Sequence, residues 1–349
     1  MNKYFCVLPF YSYENSIGST ENIYCCRLRP GTNIESVRDS IKNKQCAPEC
    51  QTCWSLESAG LNSERQIHNQ TLDYYLDRDL EKIEQDAINI GFQTKIVKLT
   101  TSNLCNGTCV TCGSALSSAW AQLENKHIVY QTEQFEHLDF SSIAQLGFVG
   151  GEPLLEKTNF KILENLLAAG NTDCFISIVT NGSVNLKQHQ IDLLKQFKNL
   201  NICLSIDGVG PIFEYMRYPL KWPTLLTNIE VFKSITNNIS VSAMISNLNI
   251  LYLTELLDFF HSNNLNYLCK QIEYPVMFSP GNLPANVKQT IIDKNSKYKQ
   301  QVVGFLNCGV LYTDAMFNNL RNEVVRQDAL KNIRIVDFMP EIAVYLNLE

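Results

Sequence analysis

No apolar run in this chain approaches the ~20 residues that a membrane span needs. No run of five or more lysines and arginines occurs, the formal net charge is -6 and the pI is about 5.5. A membrane segment and a field that favours nucleic acid are therefore both unexpected. The opening residues, Met1 to Cys6, lack the long apolar core of a secretory signal, so a cytoplasmic location is expected. Repeats and low-complexity tracts are absent. Charged residues are sparse at 18%, while apolar residues reach 45%, ample for a core. The length of 349 residues favours one large domain with smaller appendages.

What the chain has in quantity is cysteine. There are thirteen, and nine fall in the first third, at positions 6, 25, 26, 46, 50, 53, 105, 109 and 112. A disulfide framework suits small secreted chains and not one of this length. Reduced thiols in such numbers point to metal.

The densest group is Cys105-Asn-Gly-Thr-Cys109-Val-Thr-Cys112. Residues 96–101 read as a short strand, so these cysteines lie on the loop leaving it. Asn106, Gly107 and Thr108 favour a polar loop over a helical turn. Three thiolates on one loop can hold three irons of a cubane and leave the fourth iron open to a ligand. Zinc is the competing reading, because zinc sites take four ligands and a second cysteine group lies at 46–53. Buried cysteines without a metal are the blandest alternative.

About forty residues on stands Leu146-Gly-Phe-Val-Gly150-Gly151-Glu152-Pro153. The C-x3-C-x2-C loop followed by this run resembles the radical S-adenosylmethionine (SAM) superfamily and its GGEP motif. The resemblance implies a partial (β/α)6 barrel in which Cys105, Cys109 and Cys112 hold a [4Fe–4S] cluster. It further implies that Gly150, Gly151, Glu152 and Pro153 bind the amino group of SAM.

Residues 1–69 read as a compact cysteine-rich segment. Residues 5–10 and 23–27 read as two short strands with a polar turn at 14–22. Cys46-Ala-Pro48-Glu-Cys50-Gln-Thr-Cys53-Trp54 follows, then Glu57, Gly60, Ser63 and Arg65. This pattern is similar to the SPASM/twitch modules of radical SAM enzymes, although such modules usually follow the barrel. The likeness implies an auxiliary [4Fe–4S] cluster on Cys6, Cys25, Cys50 and Cys53, with Cys26 as a substitute for Cys25. Zinc remains open here too.

Residues 70–93 read as one connecting helix, with apolar positions at spacings of three and four and Gly91 at its end. From 94 to 278 the pattern alternates strand and helix. Strands are expected at 96–101, 145–150, 175–180, 201–207, 239–245 and 267–273, and helices at, for example, 160–169 and 228–235. The fold class is therefore α/β with a parallel sheet, whose sites gather at the carboxyl ends of strands. Residues 279–349 read as a helical extension, with helices at 286–302 and 312–330 and a closing helix carrying Pro340 in its first turn.

The remaining site residues sit at strand ends. Thr180 and Asn181 end the third strand, and Ser205 and Asp207 share one face at the end of the fourth. By resemblance Ser205 binds SAM, Asp207 contacts substrate or accepts a proton, and Arg217 holds the SAM carboxylate. An arginine suits a carboxylate through its two-pronged geometry. The alternatives are a helix cap for Asp207 and a surface position for Arg217. Ser246 to Asn249 end the fifth strand, where they either meet the SAM ribose or cap the next helix. Cys174, Cys203, Cys269 and Cys308 are isolated and read mostly as small core residues.

The implied activity is reductive cleavage of SAM to a 5′-deoxyadenosyl radical that abstracts hydrogen from substrate, first of all from a ribosomally made peptide. A carbohydrate or small molecule is the alternative substrate, and a zinc or iron–sulfur binding module without catalysis is the alternative to an enzyme. Such an oxidoreductase implies a reductant, flavodoxin or ferredoxin, as partner.

Overall fold

Short parallel strands separated by helices set the frame of this protein. The computed structural model describes residues 2–15, 23–25, 27–29, 31–58, 63–76, 79–126, 135, 138–310 and 312–349. The chain runs through α1 (Leu8–Tyr11), β1 (Ser12–Glu14), α2 (Ile34–Lys42), α3 (Gln51–Ser58), α4 (Glu64–Leu76) and α5 (Leu80–Ile90). Then come β2 (Ile96–Thr100), α6 (Ser118–Leu123), β3 (Gln145–Val149), α7 (Lys157–Ala168), β4 (Phe175–Thr180), α8 (Gln188–Leu194) and β5 (Asn199–Ser205). Next are α9 (Pro211–Met216), α10 (Trp222–Ile235), β6 (Asn238–Ile245), α11 (Leu253–Ser262) and β7 (Asn266–Gln271). The last helices are α12 (Ala285–Lys294), α13 (Lys299–Leu306), α14 (Asp314–Lys331) and α15 (Pro340–Leu346).

The seven strands form one sheet in chain order, β1 to β7. The order never reverses, which is the connectivity of a (β/α) barrel and not of a doubly wound sheet. The described pairs β1/β2, β2/β3, β3/β4 and β6/β7 are all parallel. Six strands match the expected positions. The seventh, β1, comes from the cysteine-rich segment and adds to β2 at the sheet edge, pairing Ser12 with Ile96 and Glu14 with Lys98.

The chain divides into two units. One comprises Met1–Ser102, Tyr130–Ile178 and Lys187–Asn201, and the other Asn103–Val129, Val179–Leu186 and Ile202–Glu349. The first is built on a core of Phe5, Val7, Leu8 and Phe10 against Val37, Ile41, Leu72 and Ile83. Phe5, Val7 and Phe10 are at most 1% exposed, and burying each contributes roughly 1.5–3 kcal/mol.

This all-round burial explains the largest departure from expectation. Residues 5–10 do not form a strand; Leu8–Tyr11 is a helical turn with Pro9 at its start. A short run that is apolar on every side carries no period to separate helix from strand, and proline favours the first helical turn. The described residues of the expected strand at 23–27 form none either: only Ile23 pairs, in a single antiparallel bridge with Glu14. The turn at 16–22, Cys26 and Gly60 lie outside the described residues. The expected helix at 70–93 is two helices, α4 and α5. Asp79 caps the second, its side chain accepting from Lys82 N at 2.9 Å. Gly91 ends α5 as expected, with φ +87°.

In the second unit the β6/β7 register puts Val241, Ala243 and Ile245 on one face with Tyr267, Cys269 and Gln271. Ser240, Ser242 and Met244 share the other with Asn266, Leu268 and Lys270. Helix α11 covers the first face, where Phe260 packs on Tyr267 with ring centroids 5.2 Å apart. No helix among the described residues is long and apolar enough to cross a membrane.

Candidate functional site: two cysteine groups

The loop after β2 is pinned by backbone bonds. Thr108 N donates to Tyr218 O at 2.6 Å and Val110 N to Met216 O at 2.8 Å, so Cys109 is held from both sides. Cys105 N donates to Ser118 Oγ at 3.0 Å, Ser117 Oγ to Gly107 O at 2.7 Å and Trp120 Nε1 to Cys109 O at 2.9 Å. A Cβ on Gly107 would lie 3.4 Å from Cys109 Sγ and 3.9 Å from Cys105 Sγ, so both sulfurs border the space above this glycine. Gly107 N donates to Cys105 Sγ at 3.4 Å. Burial raises the Cys109 thiol, and the Arg217 charge opposes the rise. Cys112 is pushed up to about 12 by burial and by the neighbouring charges of Cys109 and Cys105.

Three soft donors on one fixed loop, two of them bordering the gap that Gly107 leaves and the third, Cys112, feeling the charge of both, fit a cluster that takes one thiolate per iron. Among the described residues no three His, Cys, Asp or Glu side chains converge to hold a single ion.

The segment that clamps Cys109 also carries Arg217. Its Nη2 lies 2.8 Å from Asp207 Oδ2, and the side chains are 11% and 3% exposed. Asp207 Oδ1 accepts from Met244 N at 2.8 Å, and Asp207 O accepts from Asn249 Nδ2 at 2.8 Å. Arg217 is thus not a surface arginine. Asp207 caps no helix; the residue before α9 is Gly210, without a side-chain cap. Arg217 Nε is buried with no hydrogen-bond partner. Burial disfavours its charge, but Asp207 and the nearby cysteines outweigh burial and hold the guanidinium charged.

Asn181 joins the same neighbourhood. Its Nδ2 donates to Asn106 Oδ1 at 2.9 Å, Asn106 Nδ2 donates to Ser183 Oγ at 2.8 Å, and Ser183 Oγ donates to Asn181 Oδ1 at 2.6 Å. This triangle ties the cysteine loop to the end of β4. Thr180 Oγ1 accepts from Gly182 N at 3.1 Å. Ser205 is half-buried. Ser246 is fully buried: its N and Oγ both bond Asn249 Oδ1, at 2.7 and 3.2 Å, and its Oγ accepts from Leu248 N, which closes a turn ahead of a helix that has no side-chain cap.

In the first unit, Gly150 has φ +118°, and a Cβ there would sit 2.8 Å from Thr100 Cγ2 and 2.9 Å from Ser102 O. Only glycine fits both the conformation and the space. Gly151 N donates to Ser102 O at 3.3 Å. Glu152 is 1% exposed and its Oε1 accepts from Leu154 N at 3.0 Å. Pro153 O accepts from Asn159 Nδ2 at 2.9 Å, and Asn159 Oδ1 accepts from Thr101 Oγ1 at 2.8 Å. The Gly-Gly-Glu-Pro run is therefore a fixed strand end rather than a loose turn.

The N-terminal cysteines also meet. Cys6, Cys25, Cys50 and Cys53 line one cavity with Trp54 and Arg65. Burial raises the Cys6 thiol strongly, with Cys50 and Cys53 adding to it, and Cys50 is pushed up to about 11. Four thiols around a shared space fit a cluster with every iron ligated. Arg65 holds the frame together. It donates to Lys3 O at 3.1 Å and Phe5 O at 3.0 Å, pairs with Glu57, and lies 4.5 Å over the Trp54 ring. Ser63 bonds the same Glu57. The Trp54, Glu57, Ser63 and Arg65 run thereby fixes the chain next to Cys6.

Among the isolated cysteines, Cys174 is buried, Cys203 and Cys269 are half-buried, and Cys308 and also Cys46 are exposed. The sequence reading missed Asn106, Ser183 and Trp120, and it saw nothing in α14. Asn106 carried one signal, its place between two cysteines. Residues joined only across the fold carried none.

Comparison with known proteins follows from this geometry. No family model matches the chain. The radical SAM cyclopropyl synthase TigE of Paramaledivibacter caminithermalis is 26% identical over 210 residues, which are 54% of this chain and 43% of that protein. The match thus spans less than half the length of this curated relative. Native anSMEcpe with bound AdoMet aligns at a TM-score of 0.45 and 18% identity, over 66% of each chain. Streptococcus suis SuiB bound to precursor peptide SuiA aligns at a TM-score of 0.40 and 14% identity, over 89% of this chain and 65% of that one. With its C-x3-C-x2-C loop over Gly107 and its Gly-Gly-Glu-Pro strand end, the chain is similar to a radical SAM synthase over 54% of its length.

Proposed function

We propose that the protein is a radical SAM enzyme that acts on a ribosomally made peptide, with a second, auxiliary cluster in an N-terminal SPASM/twitch-like module. The observation that carries the reading is the Cys105–Cys109–Cys112 loop, clamped by the segment that presents Arg217. Cys105, Cys109 and Cys112 would hold a [4Fe–4S] cluster, which would supply one electron to split bound SAM into methionine and a 5′-deoxyadenosyl radical able to take hydrogen from unactivated carbon.

The chain's own residues supply position. Thr108 and Val110 fix Cys109 in place through Tyr218 and Met216. Arg217 faces the thiols with a free, buried Nε, suited to a carboxylate. Asp207 orients Arg217 by pairing with Nη2 while Met244 N occupies its other oxygen. A proton-accepting role for Asp207 requires that pair to part when substrate binds. Gly150, Gly151, Glu152 and Pro153 offer backbone and carboxylate groups to an amine. Thr180, Asn181, Ser205 and Ser246 are proposed SAM contacts, of which Ser246 acts through the turn it closes with Leu248 and Asn249.

Cys6, Cys25, Cys50 and Cys53 are the proposed auxiliary ligands, supported by their common cavity. The proposed divisions are 1–69 for the auxiliary module, 70–93 for the connector, 94–278 for the barrel and 279–349 for the extension. A peptide substrate is supported by the likeness of the module to SPASM/twitch enzymes. The proposed reductant is a flavodoxin or ferredoxin.

The test is anaerobic reconstitution with iron and sulfide, reduction with dithionite, and assay of 5′-deoxyadenosine. Release above background supports the enzyme. A reconstituted protein that binds metal yet never cleaves SAM makes it a binding module. Mass spectrometry of a peptide encoded beside the gene, coexpressed with the enzyme, then tests the substrate class.

A further inference from the structure

Helix α14 reaches the three-cysteine loop across more than two hundred residues of chain. Gln327 Nε2 donates to Val110 O at 2.9 Å, between Cys109 and Cys112. Lys331, one turn on, donates through Nζ to Gln327 Oε1 at 2.9 Å. The same ammonium lies 4.7 Å from the centroid of the Trp120 ring, and Trp120 Nε1 donates to Cys109 O at 2.9 Å. Lys331 is 6% exposed.

A buried ammonium is costly unless an opposite charge compensates it. Among the described residues no carboxylate lies within ion-pair distance of Lys331; its partners are an amide oxygen and an aromatic face. Of the negative groups that act on Lys331, Cys109 has the largest influence, ahead of Asp328 and Glu323, and burial outweighs them, lowering the ammonium to about 8. Lys331 lies close enough to Cys109 to favour its thiolate, as does Arg217. Arg217, however, is already matched by Asp207. Lys331 makes no such ion pair among the described residues, where its ammonium bonds Gln327 Oε1.

We propose that Lys331 is the buried countercharge of the cluster on Cys105, Cys109 and Cys112, placed by α14 to raise the cluster's reduction potential. Adding an electron makes the cluster more negative, and a fixed cation nearby stabilises that state. Net charge and hydrogen bonding around the sulfurs set such potentials. Lys331 acts as a tuning and positioning residue and touches no reacting atom. The inference rests on the cluster reading given above.

The experiment is an anaerobic redox titration of the reconstituted full chain, following the reduced-cluster EPR signal that changes on adding SAM. Lys331→Met keeps the side-chain length and removes the charge. It should keep wild-type iron while its reduced-to-oxidised ratio at a fixed poise falls about tenfold, equivalent to about 59 mV for one electron. Lys331→Arg should restore the wild-type ratio. A Lys331→Met protein with full iron and an unchanged ratio overturns the proposal. If Lys331→Met holds no iron, Lys331→Arg decides. Full iron and the wild-type ratio in the arginine variant support the countercharge, and loss of iron there too makes the site one of shape and overturns it. A wild type that binds no iron–sulfur cluster is a separate result that ends the cluster reading, and the inference with it.

Discussion

The two cysteine groups solve different problems. The loop draws three thiols from eight consecutive residues, 105–112, and the fold adds backing from residues 117–120, 181–183 and 216–218 and from α14. The N-terminal group draws four thiols from three separate stretches, around residues 6, 25 and 50–53, and each must be brought in by tertiary contacts. Three ligands suit a cluster with an open iron, and four suit a closed one. The three-thiol group is written locally, while the four-thiol group depends on the folded core around Phe5, Val7 and Phe10.

The strongest way to break this contrast is to remove the loop. Replacing Cys105, Cys109 and Cys112 together by alanine should bring 5′-deoxyadenosine to background, read by chromatography after anaerobic reduction. Wild-type cleavage in that variant sinks the assignment. The next test separates the groups by metal content. The wild type should hold about eight irons, and Cys50→Ala with Cys53→Ala about four, with SAM cleavage kept and product formation lost. Metal analysis showing about four irons and one zinc in the wild type, with no iron lost in the double variant, ends the auxiliary-cluster reading.

A smaller effect probes the loop's cation. Arg217→Ala strands a carboxylate that is 3% exposed and should lower stability by about 3–5 kcal/mol. SAM affinity, measured by calorimetry, should fall about thirtyfold, on the order of 2 kcal/mol. Lysine at 217 should restore only part, because it lacks the planar fork. Unchanged affinity in the alanine variant removes Arg217 from the SAM site.

The smallest effect belongs to the module's own arginine. Arg65 forks between Glu57 and the carbonyls of Lys3 and Phe5. Arg65→Lys cannot keep all three and should cost about 1–3 kcal/mol in thermal unfolding. It should lower the module's iron while leaving SAM cleavage near wild type. Equal loss of iron and of cleavage would show that the two groups are not independent.

Much of the sheet was legible beforehand, because each of its six expected strands is a short β-rich run bounded by turn residues. Ile96–Thr100 and Phe175–Thr180 lie where the pattern put them. Residues 5–10 read wrongly as a strand because they are buried on every side, which erases the period that distinguishes helix from strand. The break at Asp79 was missed because a single side-chain cap outweighed a continuous apolar spacing. The addition of β1 to β2 had no local signal, since strand pairing is a contact between residues more than eighty positions apart.

The sequence by itself determined the thiol spacing at 105–112, the glycines of the Gly-Gly-Glu-Pro run and the identity of the strand ends. These are properties of neighbouring residues, and elementary coordination chemistry and backbone sterics read them directly. Only folding brings Arg217 to Asp207, Asn106 to Asn181 and Ser183, and Lys331 to the Gln327 that bonds Val110 O beside Cys109. Each of these depends on which distant side chains share a low-dielectric space, where a charge or amide must find a partner. Residue spacing carries no record of that; only the packing of β5, β6 and α14 around the loop makes it.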